Sequence, residues 1–199
     1  MSFPTTIMSD ATYSKKLARL RDRSLAPREV RSITAELSSI LAGTAIEPAS
    51  PTEQVAVFIV LRSGMAMSDA FLNQFPEDVN TVVYHLGLFR DRKTLQPVEY
   101  YNKLGPKSPK VKHGYILDPL MATGGTAEAA ISIVKDWGLE KITFVSILAS
   151  EAGLAKVQKV WPEGVRVVVG AVDKELDSHG YVKPGLGDIG DRLYGTQLL

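Results

Sequence analysis

The sequence predicts an α/β fold in which a doubly wound, mainly parallel sheet carries flanking helices on both faces. Short, continuous and largely apolar runs alternate along the chain with segments of helical periodicity. Continuous runs are typical of strands buried on both faces, which requires helices on each side of the sheet. The 199 residues are 45% hydrophobic. We therefore expect a single domain over 1–199 with one well-buried core.

Each predicted element follows from a local pattern of apolar, proline and glycine residues. The continuous apolar runs predict strands at 55–61, 81–86, 115–117, 142–148 and 165–172. Apolar residues spaced three and four apart, with proline or glycine near the ends, predict helices at 13–25, 27–41, 66–73, 125–137 and 151–161. Residues 1–13 are expected to form a loose tail, and 44–52 a linker or short hairpin. An aromatic pair before a glycine- and proline-containing turn predicts an antiparallel β-arm hairpin over 97–113.

The composition excludes several classes of function. Lys and Arg number 23 against 22 for Asp and Glu, a formal charge of +1, so we expect no broad attraction to nucleic acid or to an anionic membrane. There is no cysteine, which excludes disulfides, thiolate metal sites and a cysteine nucleophile. The N-terminus has no signal-peptide pattern, and no run approaches the roughly 18 apolar residues of a membrane span. We expect a cytoplasmic protein. The three histidines are too scattered to predict a metal cluster.

One loop has the properties of a phosphate-binding site. It follows a buried strand and opens a helix, the place where ligands bind in open α/β sheets. Its two glycines let the backbone approach an anion, and the helix that follows presents unpaired N–H groups. No lysine follows the glycines, so a single phosphate fits better than a triphosphate. From the glycines alone, an ordinary strand-to-helix turn is an equal alternative. The loop residues are Asp118, Pro119, Leu120, Met121, Ala122, Thr123, Gly124, Gly125 and Thr126.

Two motifs resemble the uracil phosphoribosyltransferase family. They are DPLMATGGTA at 118–127 and GYVKPGLGDIGDRLYGT at 180–196, and the second is far more specific than a lone glycine loop. VLRSGMAM at 60–67 and LFRDRKTLQPVEYYNKL at 88–104 follow the family's order. The resemblance covers nearly the whole chain. It implies a type I phosphoribosyltransferase fold with a β-arm hairpin and a C-terminal hood loop.

The resemblance also implies a reaction. In it, 5-phospho-α-D-ribose 1-diphosphate (the sugar diphosphate) and uracil give UMP and pyrophosphate, a step of pyrimidine salvage. Mg²⁺ is the implied cofactor, carried by the diphosphate with no direct protein site. The resemblance implies a homodimer or homotetramer and allows a GTP effector.

Site residues are carried over by their positions in the motifs. The loop 118–126 would bind the ribose 5-phosphate, and Arg62 and Arg90 occupy the family's two arginine positions. Asp188 matches an acidic residue near the ribose and diphosphate, and the uracil pocket matches Val182, Gly187, Asp188 and Ile189. Arginine suits the negative charge that develops on the leaving diphosphate. A carboxylate at 188 would either stabilise the cationic sugar or assist loss of the uracil N1 proton. Asp188, Arg62 and Arg90 are thus the predicted catalytic residues.

Several positions depart from the family pattern, and other functions stay open. Ser63 stands where alanine is common, Asp177 where asparagine is usual, and Lys183 where an aliphatic residue is common, while 44–52 is shorter than its counterpart. The alternatives are a non-catalytic regulator that binds UMP or the sugar diphosphate, a transferase for another base, a nucleoside kinase appendage and an RNA-binding regulator. The missing triphosphate cradle weakens the kinase alternative, and the near-zero charge weakens the RNA-binding one.

Overall fold

A computed structural model describes residues 5–50, 52–91 and 97–196, with the backbone but not the side chain of residue 90. The strands are β1 Thr5–Ile7, β2 Gln54–Leu61, β3 Asn80–Arg90, β4 Pro97–Asn102, β5 Val111–Leu117, β6 Leu120–Met121, β7 Lys141–Ser150, β8 Val165–Asp173, β9 Glu175–Leu176 and β10 Val182–Lys183. The helices are α1 Ala11–Leu20, α2 Pro27–Ala45, α3 Met65–Leu72, α4 Gly125–Asp136, α5 Glu151–Val157 and α6 Ile189–Tyr194.

One twisted sheet organises the chain, in the order β1-β8-β7-β5-β2-β3-β4, with β6 paired to β7. In this order every neighbouring pair from β1 to β3 (β1-β8-β7-β5-β2-β3) is parallel. The edge strand β4 runs antiparallel to β3. The mainly parallel α/β sheet predicted from the apolar runs is therefore confirmed. Strands β9 and β10 form a separate antiparallel pair beside it.

The central strands β2, β5, β7 and β8 are buried on both faces, as their continuous apolar runs require. Alternate residues of β2 belong to different cores: Val55, Val57 and Ile59 pack with α1, α2, α3 and α6, whereas Ala56, Phe58 and Val60 pack with α4 and α5. Successive side chains of a strand point to opposite faces, so a strand covered on both sides must be apolar throughout. The two cores hold the carboxyl ends of the central strands at one edge of the sheet.

The N-terminal segment is ordered from residue 5, so the prediction of a loose tail over 1–13 is wrong for the described part of it. Strand β1 pairs with β8, and the Asp10 side chain caps α1 by accepting from the Tyr13 N–H at 2.6 Å. The buried Tyr13 hydroxyl donates to the Ile147 carbonyl at 2.9 Å. A three-residue strand has no detectable periodicity and depends on a partner more than 150 residues away in the sequence. Residues 1–4 lie outside the described residues.

Several predicted boundaries also need correction. Residues 111–113, expected in the β-arm, begin the central strand β5, because β5 extends beside β2 and β7. Residues 44 and 45, expected in a linker, complete α2, and Arg166 donates to the Thr44 and Ala45 carbonyls at 3.0 and 3.4 Å. Helix α1 ends at Leu20 rather than at 25. No helix in the described part of the chain is both long and apolar enough to cross a membrane.

Candidate functional site

The main cavity lies at the carboxyl ends of the central strands and has a volume of about 570 Å³. The chain leaves β2 through α3 toward β3, and leaves β5 through α4 toward β7, on the opposite side. A crevice opens where such paths diverge, and α/β proteins bind ligands there. The cavity is lined by the ends of β2, β3 and β5, by Tyr100 of β4, and by the C-terminal segment around 187–190.

The ends of β2 and β5 are in direct contact. Ser63 Oγ donates to Asp118 Oδ1 at 3.3 Å. A Cβ on Gly64 would lie only 2.5 Å from the Leu117 carbonyl oxygen, so only glycine permits this approach. Ser63, a departure from the family pattern, is therefore a hydrogen-bond partner of the strand-end acid.

Asp118 is buried, with 6% of its surface exposed. Desolvation raises the pKa of its carboxyl to about 7, against the lowering effect of hydrogen bonds from the Leu120 N–H and the Ser63 hydroxyl. The protonation of this acid therefore changes near neutral pH. A ligand that donates hydrogen bonds to the carboxylate would lower its pKa again.

The predicted phosphate loop encloses its own small cavity of about 80 Å³, adjoining the main one through Asp118, Leu120, Ala122 and Thr126. Gly124 caps α4 with φ of 78°, a left-handed conformation that favours glycine. Because a glycine cap has no side chain, the amides opening the 12-residue helix α4 keep their N–H groups for a ligand. The cavity lining includes all predicted loop residues except Pro119.

Two main-chain anchors hold this loop in place. The Pro119 carbonyl accepts from the Ile147 and Leu148 N–H groups, each at 3.1 Å, which ties the loop to β7. Ser150 Oγ donates to the Ala122 carbonyl at 2.5 Å while accepting from the Gly153 N–H at 2.8 Å. The loop is thus fixed by the neighbouring strand and by the start of α5.

The predicted catalytic residues Arg62 and Asp188 both lie near Gly190, at the start of α6. A Cβ on Gly190 would lie 3.4 Å from Asp188 Oδ1 and 3.7 Å from Arg62 Nη2. Asp188 caps α6, with Oδ1 accepting from the Asp191 N–H at 3.0 Å, and it lines the cavity. Arg90 is the last residue of β3, but its side chain lies outside the described residues.

Sequence reasoning missed the residues that hold Arg62. Its Nη2 donates to Asp191 Oδ1 at 3.1 Å and its Nη1 to Thr196 Oγ1 at 3.2 Å. The Tyr194 hydroxyl donates to the Arg62 carbonyl at 3.0 Å. All three partners lie in the quoted C-terminal motif, yet nothing in their spacing signals a contact with β2.

The predicted uracil residues separate into two groups. Gly187, Asp188 and Ile189 line the main cavity together with Tyr181. Val182 does not belong to that lining: its side chain is 3% exposed and packs in the core, and it pairs with Leu176 of β9.

A partly buried ion pair supports the turn before this segment. Arg21 makes a two-pronged contact with Asp173, at 2.7 and 2.8 Å, and donates to the Gly185 carbonyl at 3.0 Å. The Gly185 N–H in turn donates to Asp173 at 3.0 Å. Arg21, just past the end of α1, therefore supports the C-terminal part of the site.

Comparison with known proteins agrees with this geometry. A model of the uracil phosphoribosyltransferase family matches residues 46–196. The chain belongs to the uracil phosphoribosyltransferase family. The urg2 protein of Schizosaccharomyces pombe, provisionally named a uracil phosphoribosyltransferase, is 49% identical over 191 residues, which cover 96% of this chain and 90% of that protein. The Thermus thermophilus uracil phosphoribosyltransferase is 35% identical over 210 residues, covering 96% and 99%. The solved structure of Aquifex aeolicus protein AQ2163 has a TM-score of 0.86 at 29% identity, covering 98% of this chain and 100% of that one.

Two departures of this family member have simple structural settings. Asp177 accepts from the His179 and Tyr181 N–H groups, each at 2.9 Å, a turn that asparagine also forms. The Lys183 side chain is exposed on β10. Neither substitution disturbs a buried contact.

Proposed function

We propose that this protein transfers the phosphoribosyl group of the sugar diphosphate to uracil, giving UMP and pyrophosphate. One observation carries the proposal: a glycine-capped helix start, a strand-end arginine and an exposed carboxylate line two adjoining cavities at the sheet's switch point. These are the groups that anchor a phosphate, stabilise a departing anion and stabilise a cationic sugar.

The 5′-phosphate would bind at the loop 118–126. Several amides converge where α4 begins, and the threonine hydroxyls at 123 and 126 add donors. The helix dipole alone contributes only about 0.3–2 kcal/mol, so the hydrogen bonds supply most of the binding free energy. Asp118, which lines both cavities, would accept hydrogen bonds from the ribose hydroxyls. A crystal containing UMP should place its phosphate against the 123–126 amides, and a phosphate bound elsewhere would refute the assignment.

The diphosphate would lie near Arg62 and Arg90. Guanidinium stays charged and forms paired hydrogen bonds to phosphate oxygens. The cavity supplies carboxylate oxygens from Asp118 and Asp188, a ligand type that suits Mg²⁺. Among the described residues no group of three or more acidic or histidine side chains could hold a metal, so most ligands would come from the diphosphate and water. Bound there, the ion would neutralise charge on the leaving group.

Asp188 would act on the reacting sugar or base. Its carboxylate is exposed to the cavity and close to Arg62. Asparagine is as good a helix cap as aspartate, so Asp188→Asn removes the charge while keeping α6. We expect this variant to lower kcat far more than it raises KM for either substrate. Equal kcat in variant and wild type would exclude a catalytic role.

Uracil would be recognised by the main chain around 187–189. Uracil offers two carbonyl acceptors and one N3–H donor, and cytosine exchanges the pattern at two of these positions. A mismatch of this kind leaves buried groups unpaired and is worth roughly 10⁴-fold in selectivity. The Val182 carbonyl, the proposed acceptor for N3–H, belongs to a residue outside the cavity lining, so this contact would need the C-terminal segment to adjust when the base binds.

A radiolabelled uracil assay with the sugar diphosphate and Mg²⁺ tests the whole proposal. We expect labelled UMP from labelled uracil and no labelled nucleotide from labelled cytosine. Comparable incorporation of both bases would refute the uracil pocket. Binding of UMP without any turnover would instead favour the non-catalytic regulator.

A homodimer or homotetramer remains part of the proposal. The edge strand β4 exposes apolar side chains, among them Val98 at 38% and Tyr101 at 40% exposure. Apolar residues on an edge strand favour association with another chain. Light scattering after size exclusion would measure the mass. A GTP effector follows only from the resemblance, and activity measured with and without GTP tests it.

A further inference from the structure

Helix α6 brings a second carboxylate to the arginine that follows β2. Asp191 lies one turn after the Asp188 cap, and its Oδ1 accepts from Arg62 Nη2 at 3.1 Å. The same oxygen accepts from Thr196 Oγ1 at 2.7 Å, while Thr196 Oγ1 accepts from Arg62 Nη1 at 3.2 Å. The three side chains therefore close a ring of hydrogen bonds. The ring joins residues that are 129 and 134 positions apart in the sequence.

We propose that Asp191, with Thr196, is a positioning residue that orients the Arg62 guanidinium toward the leaving diphosphate. This inference rests on the proposed transferase function. Guanidinium has five N–H donors in one rigid plane, and the two contacts to Asp191 and Thr196 define the direction of that plane. The direction of the remaining Arg62 N–H donors is then set by the hydrogen bonds to Asp191 and Thr196 before a ligand binds.

Exposure explains why Arg62 needs such a support. The Arg62 side chain is 53% exposed, whereas the Asp191 side chain is only 17% exposed. A long exposed side chain loses rotamer freedom when it binds a ligand, and a fixed partner removes that cost beforehand. Tyr194 adds to the support, since its hydroxyl holds the Arg62 carbonyl at 3.0 Å and its ring lies 6.0 Å from the guanidinium carbon.

The arrangement also couples two parts of the site. The same short helix α6 begins at Ile189, in the segment proposed to bind uracil, and carries Asp191 to the diphosphate arginine. A shift of α6 on base binding would therefore move the Arg62 support as well. Asp191 is the side-chain link between these two parts.

Steady-state kinetics of Asp191→Ala test the proposal. We expect KM for the sugar diphosphate to rise about tenfold, because a charge-assisted contact is lost. KM for uracil at saturating sugar diphosphate should stay within about twofold of wild type. Asp191→Asn keeps an acceptor oxygen and should raise the same KM by only about threefold. Asp136→Ala, an exposed carboxylate ending α4, is the matched control and should leave both constants unchanged.

A double-mutant cycle separates positioning from general damage to the fold. In an Arg62→Ala background, Asp191→Ala should change the affinity for magnesium pyrophosphate by less than about twofold, because the oriented group is gone. Thr196→Val provides an independent variant if Asp191→Ala folds poorly, with a smaller rise in the same KM.

Three results would overturn the role of Asp191: an unchanged KM for the sugar diphosphate, a lowered one, or an equal loss of pyrophosphate affinity with and without Arg62. A wild-type protein that makes no UMP would refute the proposed function itself.

Discussion

Asp118→Asn should stabilise the unliganded protein above neutral pH, even though it removes a group proposed to bind the ribose. Burial raises the pKa of the Asp118 carboxyl from 3.8 to about 7. The native state therefore keeps a proton that the unfolded chain loses between these values, and native stability falls as pH rises through that window. At 1.36 kcal/mol per pKa unit the whole shift corresponds to about 4 kcal/mol. Because Asp118 lines a cavity that solvent can enter, part of its charge would be solvated, and we expect about 1–3 kcal/mol.

Urea unfolding of both proteins at pH 5 and pH 8 measures this effect. The unfolding free energy of the asparagine variant minus that of wild type should be about 1–3 kcal/mol larger at pH 8 than at pH 5. Ser63→Ala removes a hydrogen bond that lowers the pKa of Asp118, so the pKa of Asp118 should rise further in this variant. The fall of its unfolding free energy with rising pH should therefore continue to a higher pH than in wild type. Asp136→Asn, at an exposed position, controls for net charge. A gain for Asp118→Asn that is equal at both pH values would refute the reasoning.

Further variants test the supports of the site. Gly124→Ala forces a Cβ onto a residue with φ of 78° and should lower the free energy of unfolding by about 1–2 kcal/mol. Gly43→Ala has open space around it in α2 and should raise the free energy of unfolding by about 0.5–1 kcal/mol. Thermal unfolding that gives the same sign for both variants would refute this expectation. Arg21→Ala removes the ion-pair partner of the largely buried Asp173 and should lower the free energy of unfolding by about 1.5–3 kcal/mol, with a raised KM for uracil. Tyr13→Phe leaves the Ile147 carbonyl of β7 without its hydrogen-bond donor. The free energy of unfolding in urea should fall by about 1 kcal/mol, and an unchanged midpoint would count against that hydrogen bond.

Local chemistry was sufficient to predict the core of the fold and part of the site. The five predicted strands are present. Strands β2, β5, β7 and β8 are buried on both faces, which requires a continuous apolar run, whereas β3 leaves Val83 39% exposed. The phosphate loop was predicted because its parts are consecutive: strand end, acid, glycines and helix start lie within 118–126. The protonation of Asp118 was not predictable, since its pKa depends on burial and on Ser63, which lies 55 residues earlier.

The sequence alone determined the alternation of buried strands with helices, the loop that opens α4 and, through motif resemblance, the family. Only the tertiary structure decided that β1 joins the sheet, that Arg21 and Asp173 support the C-terminal turn, and that Asp191 holds Arg62. The physical reason is the range of the interactions. Periodicity and capping act between residues a few positions apart, whereas these contacts join residues separated by more than 100 positions and form only when the sheet brings its strand ends together.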